Sequence, residues 1–211
     1  MNKVSFAIAL ITVVFSIGFK GLPPLETFAA SVFVSKDAHY ITGIYAESVF
    51  ALPVVQQPKK DSGWISLEWS NSANGRAELT QIYNPSKNGQ IIIGAHNNLS
   101  GSFFANMNTG KLVTVIYGDG TREAYRIAYG ELWQMKDPKI PSSNFRKVIS
   151  SYPNEDWVTS NEFWRWLSET KDNSVVFLTC YANKGDYEWG RYFVVARKVN
   201  GHVYSETTYR R

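Results

Sequence analysis

The chain has 211 residues, of which 44% are hydrophobic and 19% are charged. This composition is that of one well-cored globular domain and excludes an intrinsically disordered chain. The formal net charge of +4 comes without long basic runs, since only Arg210 and Arg211 form a basic pair at the end of the chain. A nucleic-acid-binding protein concentrates basic residues on one face, so no nucleic-acid partner is expected.

Residues 1–20 have the pattern of a targeting segment. A positively charged start with Lys3 precedes the run Val4–Phe19, which has 16 uncharged and mostly apolar residues and is closed by Lys20. A run of this length fits either a signal peptide or a short membrane anchor, and the charge before it places the remainder of the chain outside the cytoplasm. The small residues Ala29–Ser31 lie later than a cleavage site usually does, so we favour an uncleaved single-pass anchor in the cell membrane. Secretion after signal cleavage is the alternative.

Residues 21–39 begin with Gly21-Leu22-Pro23-Pro24, which ends the apolar run, and they are predicted to form a linker. Residues 40–211 are predicted to form one mostly β domain, because short β-rich runs alternate there with Gly, Asn, Pro and Ser, as in a barrel or sandwich. The predicted strands are Tyr40–Tyr45, Leu52–Gln56, Trp64–Trp69, Gln90–Ala95, Leu112–Tyr117, Ala124–Leu132, Ser174–Thr179 and Tyr192–Val199.

The sequence predicts fewer turns and helices than strands. The sequence Tyr117-Gly118-Asp119-Gly120 predicts a hairpin turn, because Asp-Gly readily adopts the positive φ that such turns require. Short helices are predicted at Ser100–Met107 and Ser142–Ser150, and a longer one at Thr159–Thr170. In the longer helix, Ser160 is the predicted N-cap, and an apolar face is expected from Phe163, Trp164 and Leu167.

Three residues whose side chains could take part in catalysis lie at the ends of predicted strands. His96 follows Ile91-Ile92-Ile93-Gly94-Ala95, Cys180 follows the apolar run that ends at Thr179, and Arg191 precedes the last strand. A thiolate attacks an amide carbonyl, a histidine protonates the leaving amine, and an arginine stabilises the developing oxyanion. Strand ends hold such groups on a firm scaffold with substrate access in front.

Each of these residues also has a structural interpretation. Cys180, the only cysteine, resembles a small buried hydrophobe, and His96 resembles a turn residue. Arg191 resembles an edge charge that discourages aggregation. Asn97 is either a supporting residue that orients His96 or a residue that makes the turn. The coincidence at strand ends favours a catalytic site, and on the residues alone these alternatives stay open.

The motifs "FLTC", "WGR" and "IIIGAHNN" resemble those of the sortases, the cysteine transpeptidases of bacterial cell surfaces. The resemblance covers about Tyr40 to Val199 and includes the order His, Thr-Cys, Arg. The family motif Thr-Leu-x-Thr-Cys is matched here by its last two residues, while Val176 and Phe177 replace the first two. The resemblance implies a closed β-barrel of about eight strands with a few short helices. It also implies that His96, Cys180 and Arg191 are catalytic, with Thr179 supporting them.

The same resemblance implies a function. The protein is expected to cleave a Leu-Pro-x-Thr-Gly-like sorting signal in surface proteins through a thioester on Cys180. The acyl group would then pass to an amine of a peptidoglycan precursor or a pilin. No cofactor or metal is expected, since no acidic cluster in the sequence suggests a calcium site. Two alternatives are a cysteine endopeptidase that uses water as acceptor and a non-catalytic surface binding module on the same barrel.

Overall fold

A computed structural model describes residues 21–57, 78–82, 90–140, 142–148, 156–169 and 173–199. The predicted anchor at residues 1–20 and the predicted strand Trp64–Trp69 lie outside the described residues. Within the described part of the chain, no helix is long and apolar enough to cross a membrane.

The described strands form one sheet that closes on itself. In chain order the strands are β1 Ile41–Ala46, β2 Phe50–Gln56, β3 Leu79–Ile82, β4 Ile91–Gly94, β5 Leu112–Tyr117, β6 Arg122–Met135, β7 Phe145–Lys147, β8 Ser174–Asn183 and β9 Asp186–Lys198. Their order in the sheet is β5-β1-β2-β3-β4-β8-β9-β6-β7, and a further pairing of β5 with β6 closes eight of them into a barrel. The predicted mostly β fold with a closed barrel of about eight strands is confirmed. In the described part of the chain, three short helices accompany the barrel, namely α1 Leu25–Ser31, a 3₁₀ helix Ser100–Asn106 and α2 Ser160–Glu169.

The neighbouring strands β8 and β9 separate two hydrophobic clusters. Side chains alternate across a strand, so Val175 and Phe177 point into the barrel, where they join the main core. Val176 and Leu178 point to the other face and join a second cluster under α2. Because both faces are covered, these strands are nearly continuous apolar runs, which is why the sequence predicts them so clearly.

Helix α2 is bound to the second cluster by its buried face. Phe163 and Leu167 are fully buried there, as predicted. Trp164 is 37% exposed, and the half-buried Trp166 packs against the cluster instead.

The N-cap of α2 is Thr159, not the predicted Ser160. The Thr159 hydroxyl accepts a hydrogen bond from Glu162 N at 3.2 Å, while the Glu162 carboxylate accepts one from Thr159 N at 2.7 Å. This reciprocal arrangement is a capping box.

Two segments differ from the sequence-based prediction. The helix predicted at Ser142–Ser150 is wrong. Strand β7 lies there instead and pairs antiparallel with β6, and the buried Phe145 stacks on Phe163 at 4.2 Å. The segment predicted as a linker contains α1, whose buried Phe28 packs against Tyr45 and Ile116 on the barrel wall. In both segments contacts with distant parts of the chain decide the structure, and local patterns do not report such contacts.

The predicted hairpin turn at residues 117–120 is confirmed. Strands β5 and β6 pair on either side of it, and Gly120 N donates to Tyr117 O at 2.9 Å. Gly120 has φ of +86°, a conformation that glycine adopts without steric cost. This turn carries the chain between the two strands whose pairing closes the barrel.

The packing of α2 gives a stability prediction. Phe163→Ala should lower the free energy of unfolding by about 3–5 kcal/mol, because Phe163 is fully buried among aromatic rings and its removal leaves a cavity. Urea unfolding followed by tryptophan fluorescence measures the change. Asn161→Ala, at an exposed position of the same helix, is the control and should change stability by no more than about 0.5 kcal/mol. A loss below about 1 kcal/mol for Phe163→Ala would show that α2 is not anchored through this side chain.

Candidate active site

Cys180 and Arg191 lie directly opposite each other. Strands β8 and β9 pair antiparallel, and the register joins Cys180 with Arg191, next to the pair Leu178 and Phe193. Opposite residues of an antiparallel pair project to the same face, with β-carbons about 5 Å apart. The face is the one that carries the second cluster, not the barrel interior, so both side chains can meet a substrate from outside the barrel.

Strand β4, the neighbour of β8 on the side away from β9, leads to His96 just beyond its end. Strand β4 runs parallel to β8 with Gly94 opposite Leu178. The ladder continues for one more hydrogen bond, from Ala95 N to Leu178 O at 3.2 Å. Extending this register by two residues places His96 opposite Cys180. Ile93 and Ala95 belong to the barrel core, so His96 follows the alternate, outward-facing set. The structure therefore pairs Cys180 with Arg191 on β8 and β9, and it places His96 just beyond the end of the neighbouring strand β4.

The strand boundaries differ from the prediction at two of these positions. Strand β8 does not end at Cys180 but continues to Asn183, and β9 begins at Asp186, before Arg191. The two strands join through a turn in which Lys184 has φ of +50° and Gly185 has φ of +86°. Cys180 and Arg191 therefore lie within the β8–β9 ladder, which fixes both backbones, and the register shifts between Tyr181 and Asn183, closer to the turn. His96 alone follows the end of its strand, as predicted.

Backbone hydrogen bonds hold the His96 loop tightly. The carbonyl of His96 accepts from Gly101 N at 2.8 Å and from Leu99 N at 3.1 Å. The hydroxyl of the buried Thr179 donates to Ala95 O at 2.8 Å. A β-carbon on Gly101 would collide with the Thr179 hydroxyl and lie 2.6 Å from His96 O. Glycine at this position therefore allows the 3₁₀ helix to pack against the histidine loop.

Side chains of the loop and the hairpin also meet. The amide nitrogen of Asn97 donates to Tyr187 O at 3.0 Å. The Nη1 of Arg191 donates to Gly190 O at 3.1 Å and to Glu188 O at 3.5 Å. Asn97 and Arg191 thus bind consecutive carbonyl groups of the same hairpin. Asn97 lies in a turn, and its side chain also contacts the hairpin, so the structure is consistent with both roles that the sequence left open for it.

Two polar atoms of the loop are buried without a partner. Within the described part of the chain, neither Nε2 of His96 nor Oγ of Ser100 has a hydrogen bond, although both are shielded from solvent. Burying a polar group without a partner costs free energy, and such groups in native proteins usually have a functional reason. Among the described residues, no protein group thus occupies the hydrogen-bonding position of this imidazole nitrogen. The sequence did not point to Ser100.

The electrostatics of the thiol follow from its burial and from two charged neighbours. Burial raises the pKa of the half-buried Cys180, because the thiolate loses solvation. The guanidinium of Arg191 opposes this and lowers the pKa, while the carboxylate of Glu188 raises it. The net direction is upward, so the resting sulfur is a thiol at neutral pH. A reaction at this sulfur therefore needs a base to accept its proton.

Aromatic residues lie beside Arg191 on the side away from Cys180. Trp133 of β6 lies opposite Arg191 in the register and is buried against Phe163 and Trp166. Its indole N–H donates to Glu131 at 3.2 Å. Sequence reasoning did not assign Trp133 to the site, although the alternation along β6 could have placed it on this face. Within the described ranges, no group of three or more His, Cys, Asp or Glu side chains is placed to hold a metal ion.

The thiol environment predicts the pH dependence of alkylation. The rate of reaction of Cys180 with iodoacetamide should rise with pH through a midpoint above that of the chain unfolded in urea. Arg191→Met should move the midpoint upward, because the guanidinium favours the thiolate. Glu188→Gln should move it downward, because the carboxylate disfavours the thiolate. A native midpoint below that of the unfolded chain would contradict this account of the thiol.

Comparisons with known proteins return solved sortases. No model of a known protein family matches the chain, and no curated protein matches it. Sortase A from Listeria monocytogenes is 13% identical, with a TM-score of 0.43, and the match covers 78% of this chain and 89% of that one. Sortase C from Clostridium perfringens is 13% identical, with a TM-score of 0.42 and coverage of 80% and 73%. The SrtA sortase from Actinomyces oris is 12% identical, with a TM-score of 0.44 and coverage of 82% and 90%. A likeness at this level does not assign an activity, so the function has to rest on the geometry of the site.

Proposed function

We propose that the protein is a cysteine transpeptidase that acts outside the cytoplasm on a sorting signal of other surface proteins. The observation that carries the proposal is the pairing of Cys180 with Arg191 in the register of β8 with β9, and it is supported by the position of His96 just beyond the end of β4, the parallel neighbour of β8. A base or acid, a nucleophile and a cation in one row are the groups that acyl transfer through a thioester requires.

The first half-reaction forms the thioester. The sulfur of Cys180 bonds to the carbonyl carbon of the scissile peptide while its proton passes to Nε2 of His96, which is buried and has no hydrogen-bond partner among the described residues. The resulting imidazolium then protonates the amide nitrogen, the C–N bond breaks and the C-terminal part of the signal leaves as an amine. The raised pKa of the thiol makes this proton transfer necessary, because little thiolate exists beforehand.

The second half-reaction moves the acyl group to an acceptor. An amine attacks the thioester carbon, loses a proton to the imidazole and releases the sulfur, which takes the proton back as a thiol. Both half-reactions pass through a tetrahedral oxyanion. The two hydrogen bonds that Arg191 makes within the described residues use Nη1, which leaves its other N–H groups for that oxyanion.

The substrate and the location follow from the sequence motifs, not from this geometry. The resemblance to sortases supports a Leu-Pro-x-Thr-Gly-like signal as the donor and an amine of a peptidoglycan precursor or pilin as the acceptor. The uncharged run Val4–Phe19 supports attachment to the cell membrane with the barrel outside. Neither half-reaction requires a cofactor.

Mass spectrometry of the intact protein tests the reaction. With a panel of sorting peptides, the wild type should gain the mass of the N-terminal peptide fragment, and the added mass should map to Cys180. Cys180→Ala should show no adduct and no turnover, while its unfolding free energy should change little unless the sulfur is tightly packed.

The acceptor is tested in the same experiment. Triglycine or a diamine should replace the thioester with a ligated product, whereas accumulation of only the free acid would identify an endopeptidase that uses water. Normal turnover by Cys180→Ala would remove the cysteine mechanism. An unreactive thiol together with tight peptide binding would favour a non-catalytic binding module.

Arg191→Lys tests whether the arginine acts as a transition-state cation. The lysine keeps the charge but loses the planar fork of N–H donors, so kcat should fall by about a hundredfold or more while KM changes little. Steady-state kinetics with a cleavable peptide measure both constants. Arg197→Lys, an exposed position on the same strand, is the control and should behave as the wild type. Unchanged kcat/KM in Arg191→Lys would take Arg191 out of the active site.

A further inference from the structure

Of the three proposed catalytic residues, His96 is the one that lies outside the β-sheet. Cys180 and Arg191 are fixed by the ladder between β8 and β9, whereas His96 lies beyond the end of β4, where the last ladder bond is Ala95 N to Leu178 O. A displacement of about 1 Å at a reacting group can cost about a hundredfold in rate. The site therefore needs something other than β-sheet pairing to hold the imidazole in place.

The residues on either side of His96 supply two such contacts. On the N-terminal side, the carbonyl of Ala95 accepts the hydroxyl proton of Thr179 at 2.8 Å, and Thr179 is buried. On the C-terminal side, the amide of Asn97 donates to Tyr187 O at 3.0 Å. Both hydrogen bonds end on the β8–β9 hairpin, because Thr179 directly precedes Cys180 and Tyr187 lies four residues before Arg191.

The second contact also connects His96 with the arginine. Asn97 binds the carbonyl of Tyr187, and Arg191 binds the carbonyl of the next residue, Glu188, at 3.5 Å. A shift of this part of the hairpin would move the anchor of Asn97 and the anchor of the guanidinium together. The loop that carries His96 and the guanidinium of Arg191 are thereby attached to the same part of the hairpin.

We propose that Thr179 and Asn97 are positioning residues that hold His96 in line with Cys180 and Arg191 from both sides. The inference rests on the proposed transpeptidase function and adds a defined role for each residue. Thr179 sets the position of the loop over β8, and Asn97 sets its position relative to the part of the hairpin that carries Arg191. Neither residue exchanges a proton with the substrate.

Kinetics of matched variants test the proposal. Thr179→Val removes the hydroxyl and keeps the shape, and Asn97→Ala removes the amide. Each should lower kcat by about tenfold to a hundredfold with KM within about threefold of the wild type. Thr179→Ser keeps the donor and should retain most of the activity. Asn98→Ala, at the exposed neighbouring position, should leave kcat unchanged. Thermal unfolding of each variant ensures that the comparison is made on folded protein.

A readout that needs no turnover separates this inference from the proposed function. The chain has three histidines, and His96→Gln identifies the ring signals of His96 in a ¹H–¹⁵N spectrum. Thr179→Val and Asn97→Ala should shift or broaden those signals, whereas Thr179→Ser and Asn98→Ala should not. If the wild type forms no acyl-enzyme, the transpeptidase proposal fails and the ring signals still decide the positioning role. Unchanged His96 signals in both Thr179→Val and Asn97→Ala, with kcat within threefold of the wild type where turnover occurs, would overturn the inference.

Discussion

The pairing of β8 with β9 is the constraint on which the site depends. In a strand the side-chain period is two, so a slip of one residue would turn every side chain of one strand to the opposite face. The apolar residues on both faces prevent such a slip, because Val194 and Ala196 fit the barrel core while Phe193 and Val195 fit the cluster under α2. The same register places Arg191 opposite Cys180. Hydrophobic packing several residues away therefore fixes the distance between the nucleophile and the cation.

The parts of the fold that the sequence predicts are those with a strong local pattern. Strand β5 has the predicted bounds, and β4 and α2 lie within one or two residues of theirs, since an apolar run or a helical period marks each of them. Strand β7 was mistaken for a helix, because three residues are too few to show a period. Their strand conformation comes from pairing with β6. Helix α1 is also defined by a tertiary contact, the burial of Phe28 against the barrel.

In the candidate site, too, the sequence predicts the features that have a local pattern and misses those that depend on tertiary contacts. His96, Cys180 and Arg191 were predicted because each borders an apolar run and each has distinctive chemistry. Their supporting contacts were not predictable in detail. The hydrogen bond between Asn97 and Tyr187 joins residues 90 positions apart, and the requirement for glycine at position 101 arises from the approach of Thr179. Both depend on which strands are neighbours, and no local feature of the sequence states that parallel β4 and β8 lie side by side.

The position of the thiol is compatible with the proposed extracytoplasmic location, where a free thiol is exposed to oxidants. A lone thiol has no intramolecular disulfide partner, and oxidation proceeds mainly through the thiolate. Burial and the Glu188 carboxylate hold the pKa of Cys180 above its ordinary value, so the resting sulfur is protonated and less reactive. Arg191 opposes this only in part, so in the proposed mechanism a base has to accept the thiol proton before the sulfur can attack. The burial that keeps the resting sulfur protonated and less open to oxidation is therefore also what makes the proposed role of His96 necessary.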